Sequence, residues 1–204
     1  MKWWHALRRR REAAALARRA IPEALWQRTL ASYPFLQLPD ADDAAQLRRL
    51  ASLFLDRKEF HGARGFVVSD EVAVAVAAQA CLPVLRFGLA PYDSFVGIVM
   101  HADEVVAERR MMDEDGVVHE YDEVLAGEAM VDGPVMLSWQ DVRRGSADAL
   151  PTHDDLDHGR DADADADADA GAGGVYNVVI HEFAHVLDMG DGAADGVPPL
   201  PSTA

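Results

Sequence analysis

The sequence has only one cysteine, Cys81, among its 204 residues. A single cysteine excludes an intramolecular disulfide, and such sparing use of cysteine is typical of proteins in a reducing compartment. We therefore expect a cytoplasmic protein in which Cys81 is simply buried. The sequence also lacks any run of about 18 apolar residues, the length that a membrane-spanning helix needs, so no membrane span is predicted.

Positive charge is scarce as well. Lys and Arg number 19 against 35 Asp and Glu, which leaves a formal net charge of −16. This excess of acidic residues argues against direct nucleic-acid binding, which needs a basic surface. Hydrophobic residues nevertheless make up 50% of the chain. That is enough for the core of one domain, which we place at residues 21–200.

Residues 1–20 form the one basic segment, with four consecutive arginines from Arg8 to Arg11. Trp3, Trp4 and Leu7 lie beside them, so contact with an anionic membrane surface is one interpretation. The interpretation that we favour is a solvated helix that docks on the acidic body of the protein.

Residues 145–174 carry a low-complexity insertion in which aspartate alternates with alanine before a run of glycines. An EF-hand calcium loop starting at Asp165 needs Gly at its sixth position and Glu at its twelfth, where this sequence has Ala170 and Tyr176. The repeat is self-repelling and poor in residues that pack. A disordered insertion is therefore predicted rather than a calcium site.

The strongest chemical signal is HEFAH, a His-Glu-x-x-His motif in an apolar stretch. His181 and His185 are four residues apart, so on a helix their imidazoles share one face and can bind one metal ion. Neutral imidazole is a common zinc ligand. Glu182 is rotated by about 100° from His181, beside the metal, where it can act as the general base toward a zinc-activated water. The alternative is a buried helix whose histidines are satisfied by hydrogen bonds.

A catalytic zinc site normally has a third protein ligand besides a water molecule. The sequence after His185 contains no further His or Glu, so its only candidate ligands are aspartates. Asp188 lies near the histidine face and is a candidate to orient a ligating imidazole. Asp191 has the spacing of the third metzincin ligand, although Asp188 stands where that pattern requires Gly. The other candidate is a glutamate beyond Ala204, so we expect the chain to be C-terminally incomplete.

Apolar periodicity predicts several helices. Over residues 71–82 the valines alternate as in a strand, but the alanines favour a helix, and a helix is the structure that we predict there. Short strands are predicted in FVGIVM, GVVHEYDEV and GPVMLSW, the last two paired with each other. The strand from Gly133 to Trp139 is predicted to lie at the edge of the sheet and to bind peptide by strand addition, with Val135 and Leu137 as its substrate-binding candidates. The predicted fold class is α+β, with N-terminal helices, a small mixed sheet and an active-site helix.

The motifs IPEALWQ, FLDRKEFHGARGF, VAAQACLPVL, EYDEVLAGEA, GPVMLSWQDV and NVVIHEFAHVLDMGDGAADGVP resemble, in this order, those of the Mlc titration factor A-like zinc metallopeptidases. This resemblance implies a zincin-like fold and a cytoplasmic zinc peptidase of the aminopeptidase type. It also implies zinc ligation by His181 and His185, a general-base role for Glu182, and a glutamate beyond Ala204 as third ligand.

Enteric members of this family also bind a glucose-responsive transcriptional repressor, so the resemblance implies such a partner besides a peptide substrate. Two rival hypotheses stay open. One is a binding module that sequesters the repressor without catalysis, and the other is an inactive truncated fragment.

Overall fold

The structure is a computed structural model that describes residues 2–112, 118–130, 133–146, 177–192 and 196. Its helices are α1 (Lys2–Arg18), α2 (Glu23–Ser32), α3 (Ala41–Arg57), α4 (Asp70–Cys81), α5 (Trp139–Arg144) and α6 (Val178–Asp188). Its strands are β1 (Glu59–Gly62), β2 (Gly97–His101), β3 (Val105–Met112), β4 (Val118–Leu125), β5 (Gly127–Ala129) and β6 (Val135–Ser138). The Asp-Ala repeat lies outside the described residues.

Capping side chains fix where the two central helices begin. The Asp40 carboxylate accepts a hydrogen bond from the Asp43 amide (2.9 Å) at the start of α3. Ser69 does the same for the Val72 amide (3.3 Å) at the start of α4. Each cap satisfies an amide that has no partner within the first helical turn. Helix α4 agrees closely with the helix predicted over residues 71–82, and Cys81 at its end is buried as expected.

The basic N-terminal helix α1 packs on α3. Ala15 is buried in this contact, Arg18 forms an ion pair with Asp56 (3.0 Å), and Glu12 forms one with Arg49. The side chains of residues 8–11 are exposed to solvent. This is the arrangement that the docked-helix interpretation predicted.

The main sheet has four strands in the order β1-β2-β6-β5. Strands β1, β2 and β6 are parallel to one another, and β5 pairs antiparallel with β6 at the outer position. The predicted small mixed sheet is therefore confirmed. Strands β3 and β4 form a separate antiparallel pair.

Two predictions about strands were wrong. Strand β4 pairs with β3 and not with β6, and β6 is an interior strand, bonded on one side to β2 and on the other to β5. Val135 and Leu137 are each 1% exposed, so they are core residues and no peptide can pair with their strand. The physical reason is that a short apolar run has the same appearance in an interior strand and in an edge strand.

Helix α6 is anchored to the core by Phe183, which is fully buried. Its ring centroid lies 5.1 Å from that of Tyr92, 5.7 Å from that of Phe54 and 5.9 Å from that of Phe95, mostly in edge-to-face geometry. Such contacts between rings add to the hydrophobic term. Among the described residues, no helix is both long enough and apolar enough to cross a membrane.

Candidate metal centre

The HEFAH residues lie in α6, as the sequence predicted for that stretch. Asn177 caps this helix, because its side-chain oxygen accepts a hydrogen bond from the Ile180 amide (2.9 Å). The first backbone bond of the helix runs from the His181 amide to the Asn177 carbonyl (3.0 Å). The Phe183 side of the helix faces the core, which leaves the histidine side exposed.

The two imidazoles converge on one point. The Nε2 atoms of His181 and His185 lie 3.1 Å apart, and the ring centroids are 4.6 Å apart. Two nitrogens bound to one tetrahedral zinc at about 2.0–2.1 Å each would lie roughly 3.3 Å apart. Partial burial, together with the neighbouring His185, lowers the pKa of His181. This favours the neutral imidazole that a metal ligand requires. The two nitrogens therefore fit a metal ion.

Glu182 lies beside the histidines but on the side of α6 that packs against β5. It is 5% exposed, and the backbone N–H of Ala129 donates a hydrogen bond to its carboxylate. Burial raises the pKa of Glu182, and the nearby Glu128 carboxylate acts in the same direction. His185 and the Ala129 N–H oppose this shift. The result is a buried carboxylate with increased basicity, next to the metal-binding nitrogens.

Gly127 makes this close packing possible. A Cβ atom at this position would lie 2.7 Å from Cγ of Glu182 and 2.9 Å from a methyl carbon of Val178. Both distances are below any real Cβ contact, so only glycine lets β5 approach the helix this closely.

Asp188 is the second acidic residue near the histidines in α6. It is 9% exposed, and its Oδ1 atom is buried without a hydrogen-bond partner among the described residues. An unsatisfied buried oxygen is costly, and this one belongs to a residue type that binds or orients metal ligands. The side chain of Asp191 lies outside the described residues. Within the described part of the chain, no group of three or more His, Cys, Asp or Glu side chains is arranged to hold a metal ion.

The structure thus brings His181, Glu182 and His185 together, whereas Val135 and Leu137 lie in the interior of the sheet. Sequence reasoning missed the contributions of Gly127 and Ala129. A glycine inside a strand pattern is a signal of close backbone approach, so Gly127 could have been found. The Ala129 contact is made by the backbone and leaves no signal in the sequence.

Three features together define a candidate metallopeptidase of mixed α/β fold. They are a helix with paired histidines, a buried glutamate between these histidines in the sequence, and an adjacent antiparallel outer strand. The chain belongs to the glucose-regulated metallo-peptidase M90 family, whose sequence profile matches residues 4–204.

Individual relatives agree with this membership. The chain is 35% identical over 178 residues to an uncharacterised protein of Synechocystis sp., a match that covers 86% of this chain and 56% of the relative. It is 31% identical over 179 residues to Mlc titration factor A of Serratia proteamaculans, covering 87% and 58% respectively. A third relative, Mlc titration factor A of Enterobacter sp., is 31% identical over 183 residues, covering 88% and 59%. The chain therefore spans somewhat more than half the length of these relatives.

Proposed function

We propose that this protein is a zinc-dependent peptidase of the aminopeptidase type, with His181 and His185 as metal ligands and Glu182 as general base. The observation that carries this proposal is the 3.1 Å approach of the two Nε2 atoms beside a buried carboxylate. Membership of a metallopeptidase family supports it. The proposed cytoplasmic location rests on cysteine usage and on what the family resemblance implies.

Zinc, when bound, would supply Lewis acidity that acidifies water and polarises a carbonyl group. Glu182 would accept the proton of the attacking water and return it to the departing amine. Its raised pKa suits both steps, because a carboxylate in this environment holds a proton more readily than an exposed one. The Ala129 N–H fixes the orientation of the carboxylate while leaving acceptor capacity for that proton.

The substrate-binding role that the sequence suggested for β6 moves to β5, the outer strand of the described sheet. The carbonyl oxygen of Ala126 accepts a hydrogen bond from the Ser138 N–H of β6 (2.8 Å), and along an antiparallel strand the polar groups of alternate residues point to the same side. The backbone groups of Gly127 and Ala129 therefore face away from β6. We propose that an extended peptide pairs with this side of β5 next to Glu182, through backbone groups other than the Ala129 N–H, which donates to Glu182.

The third metal ligand is proposed to lie outside the described residues. Asp188 is proposed to orient a ligand through its buried Oδ1, and the Asp191 side chain is the candidate for direct ligation. Substituting each aspartate by Asn separates these roles, since loss of a direct ligand weakens metal binding far more than loss of an orienting group.

The enzymatic proposal is tested with peptides whose N-terminus is either free or acetylated. We expect cleavage of the free peptide, loss of cleavage with a metal chelator and recovery with added zinc. Acetylation should block an aminopeptidase, so equal cleavage of both peptides would overturn the aminopeptidase assignment. Cleavage that survives complete removal of metal would overturn the metallopeptidase assignment.

A second candidate function is the capture of a transcriptional repressor, which the name of two relatives, Mlc titration factor A, favours. If binding is the primary function, Glu182→Gln should bind the repressor Mlc as tightly as the unmodified chain. Binding by both proteins without any peptide cleavage would favour this alternative. Cleavage without binding would favour the enzyme alone.

A further inference from the structure

Helix α4 contains one fully buried polar side chain, Gln79, among valines and alanines. Its amide nitrogen donates to the carbonyl oxygen of Ala75 (3.1 Å), one turn earlier in the same helix. Its amide oxygen accepts a hydrogen bond from the side-chain nitrogen of Asn177 at 2.7 Å. A buried amide costs free energy unless both of its ends are bonded, and here both ends are.

Asn177 is the other half of this amide pair and the N-cap of α6. Its side-chain nitrogen binds Gln79, and its side-chain oxygen binds the Ile180 amide. Its backbone carbonyl accepts the bond from the His181 amide. One residue therefore connects the interior of α4 to the first turn of the helix that carries both imidazoles.

We propose that Gln79 is a positioning residue for the metal centre and acts through Asn177. The packing of Phe183 fixes which side of α6 faces the core, but apolar contacts are not directional. A short hydrogen bond is directional, and this one sets where α6 begins. The axial position of the first turn determines the position of the His181 ring relative to the rest of the site.

This inference rests on the proposed metal site, although part of it can be measured without metal. Gln79→Met keeps the volume and removes the acceptor for Asn177, together with the donor to the Ala75 carbonyl in the same helix. Asn177→Ser keeps a capping oxygen and removes the donor to Gln79. Each variant, and the double variant, breaks the same hydrogen bond, so their effects should not add.

We expect each single variant to weaken zinc affinity by about tenfold, near the lower limit for residues that orient metal ligands. The double variant should be no weaker than the weaker single variant. Affinity is measured by competition with a chromophoric chelator, and the visible absorption spectrum of the cobalt-loaded protein reports the geometry of the ligands. In the zinc-free protein, hydrogen exchange at the Ile180 and His181 amides should become about tenfold faster in each variant.

Two controls separate positioning from general destabilisation. Gln27→Met removes an exposed amide that donates to Glu23 (2.8 Å) and should leave zinc affinity and amide exchange unchanged. Leu47→Ala creates a cavity beside α3, where Leu47 is fully buried, and should lower stability while leaving the cobalt spectrum unchanged.

Unchanged affinity in both single variants, or additive losses in the double variant, would overturn the inference. Equal amide exchange in all the proteins would overturn it even where zinc binds. Absence of zinc binding by the unmodified chain would overturn the proposed function instead, and the exchange rates would still decide whether Gln79 positions the helix.

Discussion

The two sides of helix α6 are built in opposite ways. On one side Phe183 is fully buried among three aromatic rings, and on the other His181 and His185 are exposed. Glu182 lies at the boundary, buried against β5 but adjacent to the histidines. One helix thus provides a rigid anchor and an accessible pair of ligands.

Because of this difference, residues that are neighbours in α6 contribute to different properties, some to the stability of the domain and others to metal binding and catalysis. A substitution on the aromatic side removes packing that holds the domain together, whereas one on the histidine side removes few contacts. Variants of adjacent residues in α6 should therefore lose different properties.

The largest effect is expected on the chemical side, from Glu182→Gln. Loss of a general base typically costs about 10²–10⁴-fold in rate, whereas the amide keeps the shape of the side chain and leaves the histidines in place. We expect zinc affinity and the unfolding midpoint to stay close to those of the unmodified chain while kcat falls by this factor. Full retention of kcat would remove Glu182 from the mechanism.

The next effect is expected on the anchoring side, from Phe183→Ala. Truncating a fully buried phenylalanine costs about 3–5 kcal/mol of unfolding free energy, measured by urea denaturation. Phe87→Ala is the matched control, because Phe87 is 63% exposed and its loss should change stability by less than about 0.5 kcal/mol. Similar losses in the two variants would break the comparison between the two sides.

Gly127→Ala should affect both properties, since Gly127 lies where the boundary residue Glu182 meets β5. The added methyl group would overlap Glu182 and Val178, which is expected to cost about 1–3 kcal/mol of stability and to lower kcat by displacing the carboxylate. Gly97→Ala in β2 is the control, because its Cβ would meet only Pro134 at an ordinary 3.4 Å. A Gly127 variant with unchanged kcat would show that Glu182 tolerates displacement.

The remaining effect depends on pH and concerns Lys58, which supports the aromatic side. Its buried ammonium donates to the carbonyl oxygens of Tyr92 and Phe95 and lies 3.6 Å from the centre of the Phe95 ring. Burial lowers the pKa of Lys58 from 10.5 to about 8, with the Asp93 carboxylate opposing the shift.

Because this pKa is lowered on folding, the unfolded chain binds more protons between pH 8 and 10.5. The Lys58 contribution to the unfolding free energy should therefore rise with pH in this interval, by at most about 1.4 kcal/mol per pH unit, and level off below pH 8. Burial raises the pKa values of Cys81 and Tyr33, which acts in the opposite direction at the upper end of the interval, so the rise is measured as the difference between the unmodified protein and Lys58→Met. Lys58→Met should remove this rise. The same pH dependence in both proteins would assign it to other groups.

The sequence predicted the local features of this molecule better than its long-range pairing. Helix α4 follows from its alanine content and the HEFAH helix from the i, i+4 spacing of its histidines, and both features depend only on neighbouring residues. The position of β6 within the sheet depends on β2 and β5, and a four-residue apolar strand carries no mark of how many neighbours it has. Val135 and Leu137 were therefore assigned to an edge that β5 occupies.

The candidate site shows the same limit. The identities of His181, Glu182 and His185 are visible in the motif, but the environment of Glu182 is not, because it depends on Gly127 and on a backbone amide from another element. Gln79 was likewise hidden, since a glutamine in an alanine-rich helix gives no sign of the residue that it bonds.

The central claim is that His181 and His185 bind one metal ion, and the most direct test is zinc affinity with stoichiometry in the purified chain. The unmodified protein should bind one zinc ion, and His181→Ala and His185→Ala should each lose the same binding event. His61→Ala, which removes an exposed histidine 3.6 Å from Glu59, should bind zinc normally. Binding that survives loss of either HEFAH histidine, or no zinc binding by the unmodified chain, would contradict the account.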